Sequence, residues 1–342
     1  LLVATFRGNE TGEGHPLRDV INALPPSSVT EIGLSPLSLK SVKQLARASG
    51  LPGDWLYEGT GGNPFLVSEF LAAADGAGTA LPASVREAVT ARQSRLDPAS
   101  RDFLELLSVI PAAVPGPLAA ALAPEDAGSM IRTLTEGGIL QASVSGDLRF
   151  RHEIARVATF DRIPAARKRA HHARILAALR SLGSAGHLDQ MVHHAAGALD
   201  GKAVLEIAPG AAARSTTSGA HREAAAHLGT ALKFVDEAAP ELAASLYESW
   251  AYESALAARI DDEVLDTRRT AITLWNLLGR QDKVGENLRW LSRLHWYRGE
   301  APEAGRLADQ AIRVLESMPP SSEQAMAYSL RSQLHMLNDQ MD

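Results

Sequence analysis

The feature that most constrains this chain of 342 residues is a repeat in its second half. Three segments align without gaps, and each carries an alanine at the same position, namely Ala231, Ala271 and Ala311. The segments are SGAHREAAAHLGTALKFV at 218–235, ARIDDEVLDTRRTAITLW at 258–275 and RGEAPEAGRLADQAIRVL at 298–315. Their spacing of 40 residues predicts a solenoid of paired helices, because helical repeats have periods of ~34 to ~47 residues. Alanine recurs because two helices approach closely only where a side chain is small.

The composition agrees with a packed, mainly α-helical protein and excludes several functions. Aromatic residues make up only 5% of the chain, so Leu, Ala, Val and Ile must form most of the core. The net charge of −6 argues against binding of nucleic acid by the chain as a whole. The absence of cysteine excludes disulfides, thiolate zinc sites and cysteine nucleophiles. No apolar run approaches the ~20 residues of a membrane span, so we expect a cytoplasmic protein without a membrane partner.

The pattern along the chain predicts four parts, at 1–34, 35–80, 81–165 and 166–342. The first opens with the apolar run LLVATF, which is typical of a strand covered on both faces of a parallel sheet. Such a strand needs neighbours, so we expect this sequence to be a piece of a larger protein. The fold class predicted is therefore mainly α, with a remnant α/β strand, a helical domain, a winged-helix domain and a TPR-like (tetratricopeptide-repeat-like) α-solenoid.

The winged helix is predicted from helices followed by a hairpin. The hairpin strands are expected at Ile139–Val144 and Asp147–Arg151, on either side of Ser145-Gly146. The helix in the position of a DNA reader carries few basic residues, with Arg132 set against Glu136, so we do not expect it to bind DNA. Helices are predicted over Leu39–Ser49, Phe65–Ala74, Ala83–Arg95, Pro98–Ile110, Pro115–Ala123 and Ala127–Glu136.

The sequence contains no complete catalytic or metal-binding motif. The nearest candidate for a phosphate-binding loop, GALDGKA at 197–203, is one residue too short, lacks the hydroxyl that holds Mg²⁺ and lies between predicted helices. The adjacent pairs His171-His172 and His193-His194 point about 100° apart on a helix, whereas ligands from one helix want i,i+4 spacing. We therefore expect no catalytic residue and no metal ligand.

Three pieces of the sequence, in this order and spacing, resemble the signal-transducing STAND class of P-loop ATPases. They are LLVATFRGNE, then TGGNPFLVSEFL with LPASVREAVTARQSRLD, then GGILQ with GDLRFRHEIARVATFDRIP and AHHARILAAL. More narrowly, the chain is similar to the large ATP-binding regulators of the LuxR type. The resemblance covers roughly residues 1–180, and helical repeats usually follow in such proteins. It implies that 1–34 is the C-terminal remnant of the ATPase core and 35–80 a helical lid domain.

The resemblance also implies four nucleotide-binding residues. Arg7 would match the sensor arginine that feels the terminal phosphate, although an exposed strand-end arginine gives the same sequence. Gly62 and Pro64 would belong to the G-x-P motif, whose proline packs against adenine. A turn that starts a helix with Pro64 at its first position is equally compatible. His152 would contact the β-phosphate of ADP, and the alternative is a wing histidine bonded to backbone.

The function implied is the central regulatory part of an ATP-dependent LuxR-type transcriptional regulator. The cofactor, ATP or ADP, would bind the intact parent, with Mg²⁺ held by a P-loop expected upstream, and none is expected to bind tightly to this chain. Without Walker A and B motifs the chain is not expected to be catalytic, and slow ATP hydrolysis is left open for the parent.

The partners implied are an inducer or a partner protein on the concave face of the repeat array. DNA would be bound only through a C-terminal helix-turn-helix expected after the repeats. Two alternatives stay open: a sensor module of a nucleotide cyclase or serine/threonine kinase with the same architecture, and a protein-binding repeat scaffold.

Overall fold

The computed structural model describes residues 16–25, 28–30, 32–47, 49–77, 93, 96–111, 113–123, 127–183 and 186–337. The chain divides into two compact units, Leu1–Arg167 and Lys168–Asp342. The predicted mainly α fold is confirmed, and the sheet of the described residues has two strands. The predicted strand Leu1–Phe6 lies outside the described residues, as does the predicted helix Ala83–Arg95 apart from Gln93.

The first unit contains eight described helices and the two-stranded sheet. The helices are α1 (Pro16–Ala23), α2 (Leu39–Ala46), α3 (Gly53–Thr60), α4 (Pro64–Ala77), α5 (Pro98–Ser108), α6 (Gly116–Leu122), α7 (Ala127–Glu136) and α8 (Glu153–Arg162). The strands are β1 (Leu140–Ala142) and β2 (Leu148–Phe150), which pair antiparallel.

Helices α2, α3 and α4 share one apolar core with the start of α8. Val42, Leu56, Phe70 and Ile154 are all buried in it. Helix α3 was not predicted from the sequence, because Gly53 begins it and glycine is a weak helix former. The contacts that Leu56 makes in this core stabilise a helix that its own propensity does not favour.

The hairpin predicted near residue 145 is confirmed, with shorter strands than expected. Leu140 lies opposite Phe150 and Ala142 opposite Leu148, and a turn closes between Ser143 and Gly146. Ahead of the hairpin, Val114 forms an isolated antiparallel bridge with Leu148 (N–O 2.7 and 2.9 Å). The order of elements from 98 to 150 is thus helix, bridge, two helices and hairpin.

The second unit is a TPR-like α-solenoid, as predicted. From α10 onward each helix packs against the next along the chain, and α15 also contacts α17, which is how stacked helix pairs bury a continuous core. The helices are α9 (Ala165–Ser181), which begins three residues before this unit, α10 (Leu188–Ala198), α11 (Gly201–Thr217), α12 (His221–Leu232), α13 (Pro240–Leu256), α14 (Asp262–Leu277), α15 (Gln281–Tyr297), α16 (Ala301–Glu316) and α17 (Ser322–Leu337).

The repeated alanines occupy the same position in three successive helix pairs. Ala231 on α12, Ala271 on α14 and Ala311 on α16 are each completely buried. The residues seven positions before these alanines lie on the same face of each helix. They are Ala224, Val264 and Ala304, and they are also completely buried. The spacing of 40 residues therefore reflects one packing geometry used three times.

Arg268 interrupts this apolar pattern in the middle repeat. It occupies the position of Leu228 and Ala308, and it is 1% exposed. Its Nη1 donates to Asn287 Oδ1 at 2.8 Å, while no hydrogen-bond partner for Nε or Nη2 is found among the described residues. Burial lowers the pKa of Arg268 to about 10, and the nearby carboxylate of Glu248 opposes that shift. The guanidinium is therefore charged at neutral pH inside the solenoid.

None of the helices in the described ranges is long and apolar enough to cross a membrane.

Replacement of Ala271 by leucine is expected to destabilise the solenoid by about 1–3 kcal/mol, because extra methylenes enter a fully packed contact. The control is Ala213→Leu, at an exposed position of α11, which is expected to change stability by less than about 0.5 kcal/mol. Urea unfolding followed by tryptophan fluorescence measures this unit, since four of the five tryptophans lie in it. Equal effects of the two variants would contradict the role of alanine as the close-contact residue.

Replacement of Glu248 by glutamine is expected to cost about 3 kcal/mol, because it removes the carboxylate with the largest compensating effect on the buried charge of Arg268. Glu248 also accepts hydrogen bonds from Trp275 Nε1 (2.7 Å) and Lys283 Nζ (3.0 Å). The control is Glu303→Gln, which removes a carboxylate that pairs with Arg306 (2.6 Å) at a more exposed site and is expected to cost less than about 1 kcal/mol. The same urea titration measures both, and similar losses would show that Arg268 needs no buried counter-charge.

Candidate nucleotide-contact site

A glycine turn joins α3 to α4 and contains the predicted G-x-P residues. Gly61 and Gly62 have φ of +59° and +70°, which favour glycine. Gly62 accepts a hydrogen bond from Leu37 N at 2.7 Å, and a Cβ on Gly62 would lie 2.1 Å from Leu37 O. Only glycine can therefore occupy this position without moving the backbone.

The residues after the turn start helix α4. Asn63 Oδ1 accepts hydrogen bonds from the backbone N–H of Phe65 (3.0 Å) and Leu66 (3.4 Å), as an N-cap does. Pro64 is the first helical residue, where its missing N–H costs nothing. The helix-start interpretation of the motif is therefore correct, and since the ring of Pro64 is exposed, it is also available to a ligand.

His152 is distant in the sequence from this turn but lies against it in the structure. It immediately precedes α8, without a side-chain capping bond, and its imidazole packs on Gly61. A Cβ on Gly61 would lie 3.1 Å from His152 Nδ1 and 3.3 Å from Cε1. Next to this contact, Gly59 faces Ile154 of α8, with 3.5 Å between the position of a Cβ and Ile154 Cδ1. The structure thus brings His152 to the turn that carries Gly62 and Pro64.

A groove of about 510 Å³ lies beside the turn, between α3, α4 and α8. Its lining is mostly apolar, and Trp55 packs edge-on against Phe70 with ring centroids 5.4 Å apart. The groove is lined by Trp55, Leu56, Glu58, Gly59, Phe70, Glu153, Ile154 and Val157. Its apolar walls suit a flat ring, and its two carboxylates do not favour a phosphate.

The charges around His152 are balanced locally. Glu153 at the start of α8 forms an ion pair with Arg156 (2.6 Å), and Arg156 also donates to Ser108 O at 2.6 Å. Glu153 is about half exposed. An imidazole at the start of a helix can donate a hydrogen bond to an anion, and Arg156 offsets the neighbouring carboxylate.

The fourth predicted residue, Arg7, lies outside the described residues. The three others are in the first unit, and the imidazole of His152 contacts Gly61, one residue before Gly62. Trp55 and Phe70 in the groove were missed, because they lie on helices whose aromatic residues are indistinguishable from core residues in the sequence.

Three histidines meet in the second unit, contrary to the reasoning that adjacent histidines on one helix diverge. His172 of α9 and His194 of α10 are buried, with 2.9 Å between their Nδ1 atoms. His193 is exposed, and its ring centroid lies 5.0 Å from that of His194 and 5.5 Å from that of His172. One ring nitrogen from each lies within 4.8 Å of the others. The spacing rule applies to ligands on one helix, whereas these three histidines lie on two helices.

The sequence 197–203, rejected as a phosphate-binding loop, has structural roles instead. Helix α10 ends within it, Leu199 has φ of +56°, and Asp200 caps α11 by accepting from Ala203 N at 3.0 Å. Gly201 leaves room for Glu237, whose carboxylate would lie 2.3 Å from a Cβ at that position. A helix-to-helix turn of this kind does not provide the strand that a P-loop follows.

Comparisons with known proteins do not assign this chain to a family. No family model matches the sequence, and no curated protein matches it either. Among solved structures, the chain is similar to a STAND protein with a tetratricopeptide repeat sensor from Pyrococcus horikoshii, at 12% identity and a TM-score of 0.36. The match covers 92% of this chain, which spans 59% of the length of that protein. A TM-score this low does not establish a shared fold.

Replacement of Gly62 by alanine is expected to destabilise the first unit by about 2 kcal/mol or more, because the Cβ meets Leu37 O at a positive φ. Gly128 in α7 is the control, since a Cβ there meets nothing within 4 Å, and Gly128→Ala is expected to stabilise by about 0.5–1 kcal/mol. Fluorine NMR of 5-fluorotryptophan protein in urea follows Trp55, the one tryptophan of this unit. Unchanged stability of Gly62→Ala would contradict the structure of the turn.

Proposed function

We propose that this chain is the central regulatory part of a STAND-class P-loop ATPase, and more narrowly of a LuxR-type transcriptional regulator. The proposal starts from the sequence resemblance and gains support from the geometry of the first unit. The observation that carries it is the contact of His152 with Gly61. Two motifs separated by about ninety residues, which the resemblance assigns to one nucleotide, lie side by side.

The order of elements between α5 and β2 supports the winged-helix part of this proposal. A winged helix has a helix, a short strand, two helices and a two-stranded wing. The bridge of Val114 to Leu148 takes the place of the short strand, and the hairpin takes the place of the wing. In this arrangement His152 follows the second wing strand by two residues, at the start of α8.

The residues at this site fit the roles that the resemblance gives them toward ADP. The exposed ring of Pro64 would pack against adenine, as a rigid apolar surface without an N–H to leave unpaired. His152 would donate a hydrogen bond to the β-phosphate. Held by both, a nucleotide would add a link between the α3–α4 turn and the start of α8, which also pack together through Ile154.

The remaining parts of the proposed mechanism are the hydrolysis of ATP, the binding of an inducer and the contact with DNA. The 342 residues contain no Walker A motif, so the proposal needs a P-loop, with its Mg²⁺, elsewhere in the parent protein. The solenoid would bind an inducer or a partner protein. Helix α7 has Arg132 as its one basic residue, so DNA contact would depend on a helix-turn-helix outside these residues.

The test is nucleotide retention in the parent protein that includes the P-loop. Substitution His152→Ala is expected to shorten the retention of ADP by about tenfold, which corresponds to the loss of one charge-assisted hydrogen bond of about 1.4 kcal/mol. Retained ADP is measured by chromatography of the denatured protein at intervals after gel filtration. The matched control is Arg149→Ala, at an exposed wing position that bonds Gln141, and it is expected to retain ADP normally.

A second variant separates the two roles of Pro64. If Pro64 only starts helix α4, Pro64→Ala leaves ADP retention unchanged, whereas adenine packing predicts a clear loss. Unchanged retention in both His152→Ala and Pro64→Ala would overturn the nucleotide site. The LuxR-type assignment is tested separately by the reading frame on both sides of this sequence. A helix-turn-helix after the repeats supports it, and a cyclase or kinase domain before them contradicts it.

A further inference from the structure

The three-histidine cluster has the composition of a metal site and is independent of the nucleotide proposal. It comprises His172, His193 and His194. All three belong to the unit Lys168–Asp342, on helices α9 and α10. Imidazole nitrogens from two helices converge within 4.8 Å of one another. Cysteine is absent from this protein, so histidine is its best ligand for a transition metal.

The helix backbone provides space for this cluster. Gly197 lies on α10, one turn after His193, and faces the ring of His172. A Cβ on Gly197 would lie 2.4 Å from His172 Nδ1 and Cε1. The imidazole of His172 therefore reaches the α10 histidines only because position 197 has no side chain.

The spacing of two of the ring nitrogens is close to that of a pair of ligands in a tetrahedral site. With metal–nitrogen distances of ~2.0–2.1 Å, two ligand nitrogens of a tetrahedron lie about 3.3 Å apart. The Nδ1 atoms of His172 and His194 are 2.9 Å apart, so a small rotation of either ring suffices. Three imidazoles leave one position for water or another ligand.

A hydrogen bond between His172 and His194 is the simpler explanation of their contact. It accounts for two histidines, with one Nδ1–H donating to the other Nδ1. It does not account for the third imidazole, that of the exposed His193, which has a ring nitrogen within 4.8 Å of a ring nitrogen of each of the other two. Lys168 is a charge that opposes a cation here, since it acts on His172.

We propose that His172, His193 and His194 bind a divalent transition metal of the Zn²⁺ type, which links helix α9 to helix α10. Zn²⁺ is chosen because it takes nitrogen ligands in tetrahedral geometry and needs no preformed square plane.

The experiment uses the full 342-residue chain without an affinity tag, freed of metal with a chelator. Titration with ZnCl₂ is measured by calorimetry, and titration with CoCl₂ by the visible absorption of tetrahedral cobalt. The expected result is one site per chain and a rise in the melting temperature of the second unit on Zn²⁺ addition. Substitution His193→Ala is expected to weaken binding by about tenfold or more, without loss of stability in the metal-free protein, because His193 is exposed.

Two further variants make the outcome decisive. His335→Ala, a half-buried histidine on the distant helix α17, is the control and is expected to bind Zn²⁺ as the unaltered chain does. Gly197→Ala keeps all three histidines but displaces the ring of His172, so it is also expected to weaken binding. Absence of Zn²⁺ binding by the unaltered chain, or equal affinity of His193→Ala and His335→Ala, would overturn the proposal.

Discussion

Close approach of helices at small residues is the constraint on which both units depend. Ala231, Ala271 and Ala311 are completely buried on helices that pack against their neighbours, and a small side chain lets such helices approach closely. At some positions only glycine allows the approach. A Cβ on Gly285 would lie 2.4 Å from Leu315 Cγ. Where a side chain is missing, a neighbouring ring or branched chain fills the space, which keeps the interior densely packed.

The absence of a side chain at a glycine also makes room for two histidines of the candidate sites, His152 and His172. Gly61 leaves room for His152, and Gly197 leaves room for His172. In each case a polar ring is held against backbone and not in the middle of an apolar core. Contact with backbone on one side fixes the position of each imidazole. Arg268 is the contrasting case, since its charge is enclosed by packing and held by Asn287, with Glu248 nearby.

Sequence patterns predicted the elements well where periodicity or turn chemistry is strong. The solenoid followed from a spacing of 40 residues, helix Ala127–Glu136 was predicted with its observed bounds, and the hairpin followed from Ser145-Gly146. Helix α3 was missed because Gly53 and two aromatic residues hide a helix that tertiary contacts stabilise. The burial of Arg268 was missed because arginine at a position of Leu228 and Ala308 gives no apolar signal.

The sequence predicted a candidate site well where its residues are close together in the chain, and poorly where they are far apart. The turn of Gly62 and Pro64 is contiguous, so its residues alone indicate a helix start. The contact of this turn with His152 could not be predicted from spacing, because the two are about ninety residues apart. Only the resemblance to STAND-class ATPases assigned them to one ligand. The histidine cluster is the extreme case, because His172 and His194 are 22 residues apart on different helices, and a search within single helices cannot find it.

The place of the histidine cluster in the solenoid gives a physical reason for a metal there. Helices α9 and α10 come before residue 218, where the 40-residue alignment begins, so they lack the aligned alanine that fixes the later pairs. In a solenoid, stability is the sum of terms between neighbouring repeats, and terminal repeats have fewer of them. A metal held by one helix and its successor would add such a term at the point where the repeat pattern does not supply it. The missing side chain at Gly197 and the position of the cluster ahead of the first aligned repeat both fit such a linkage.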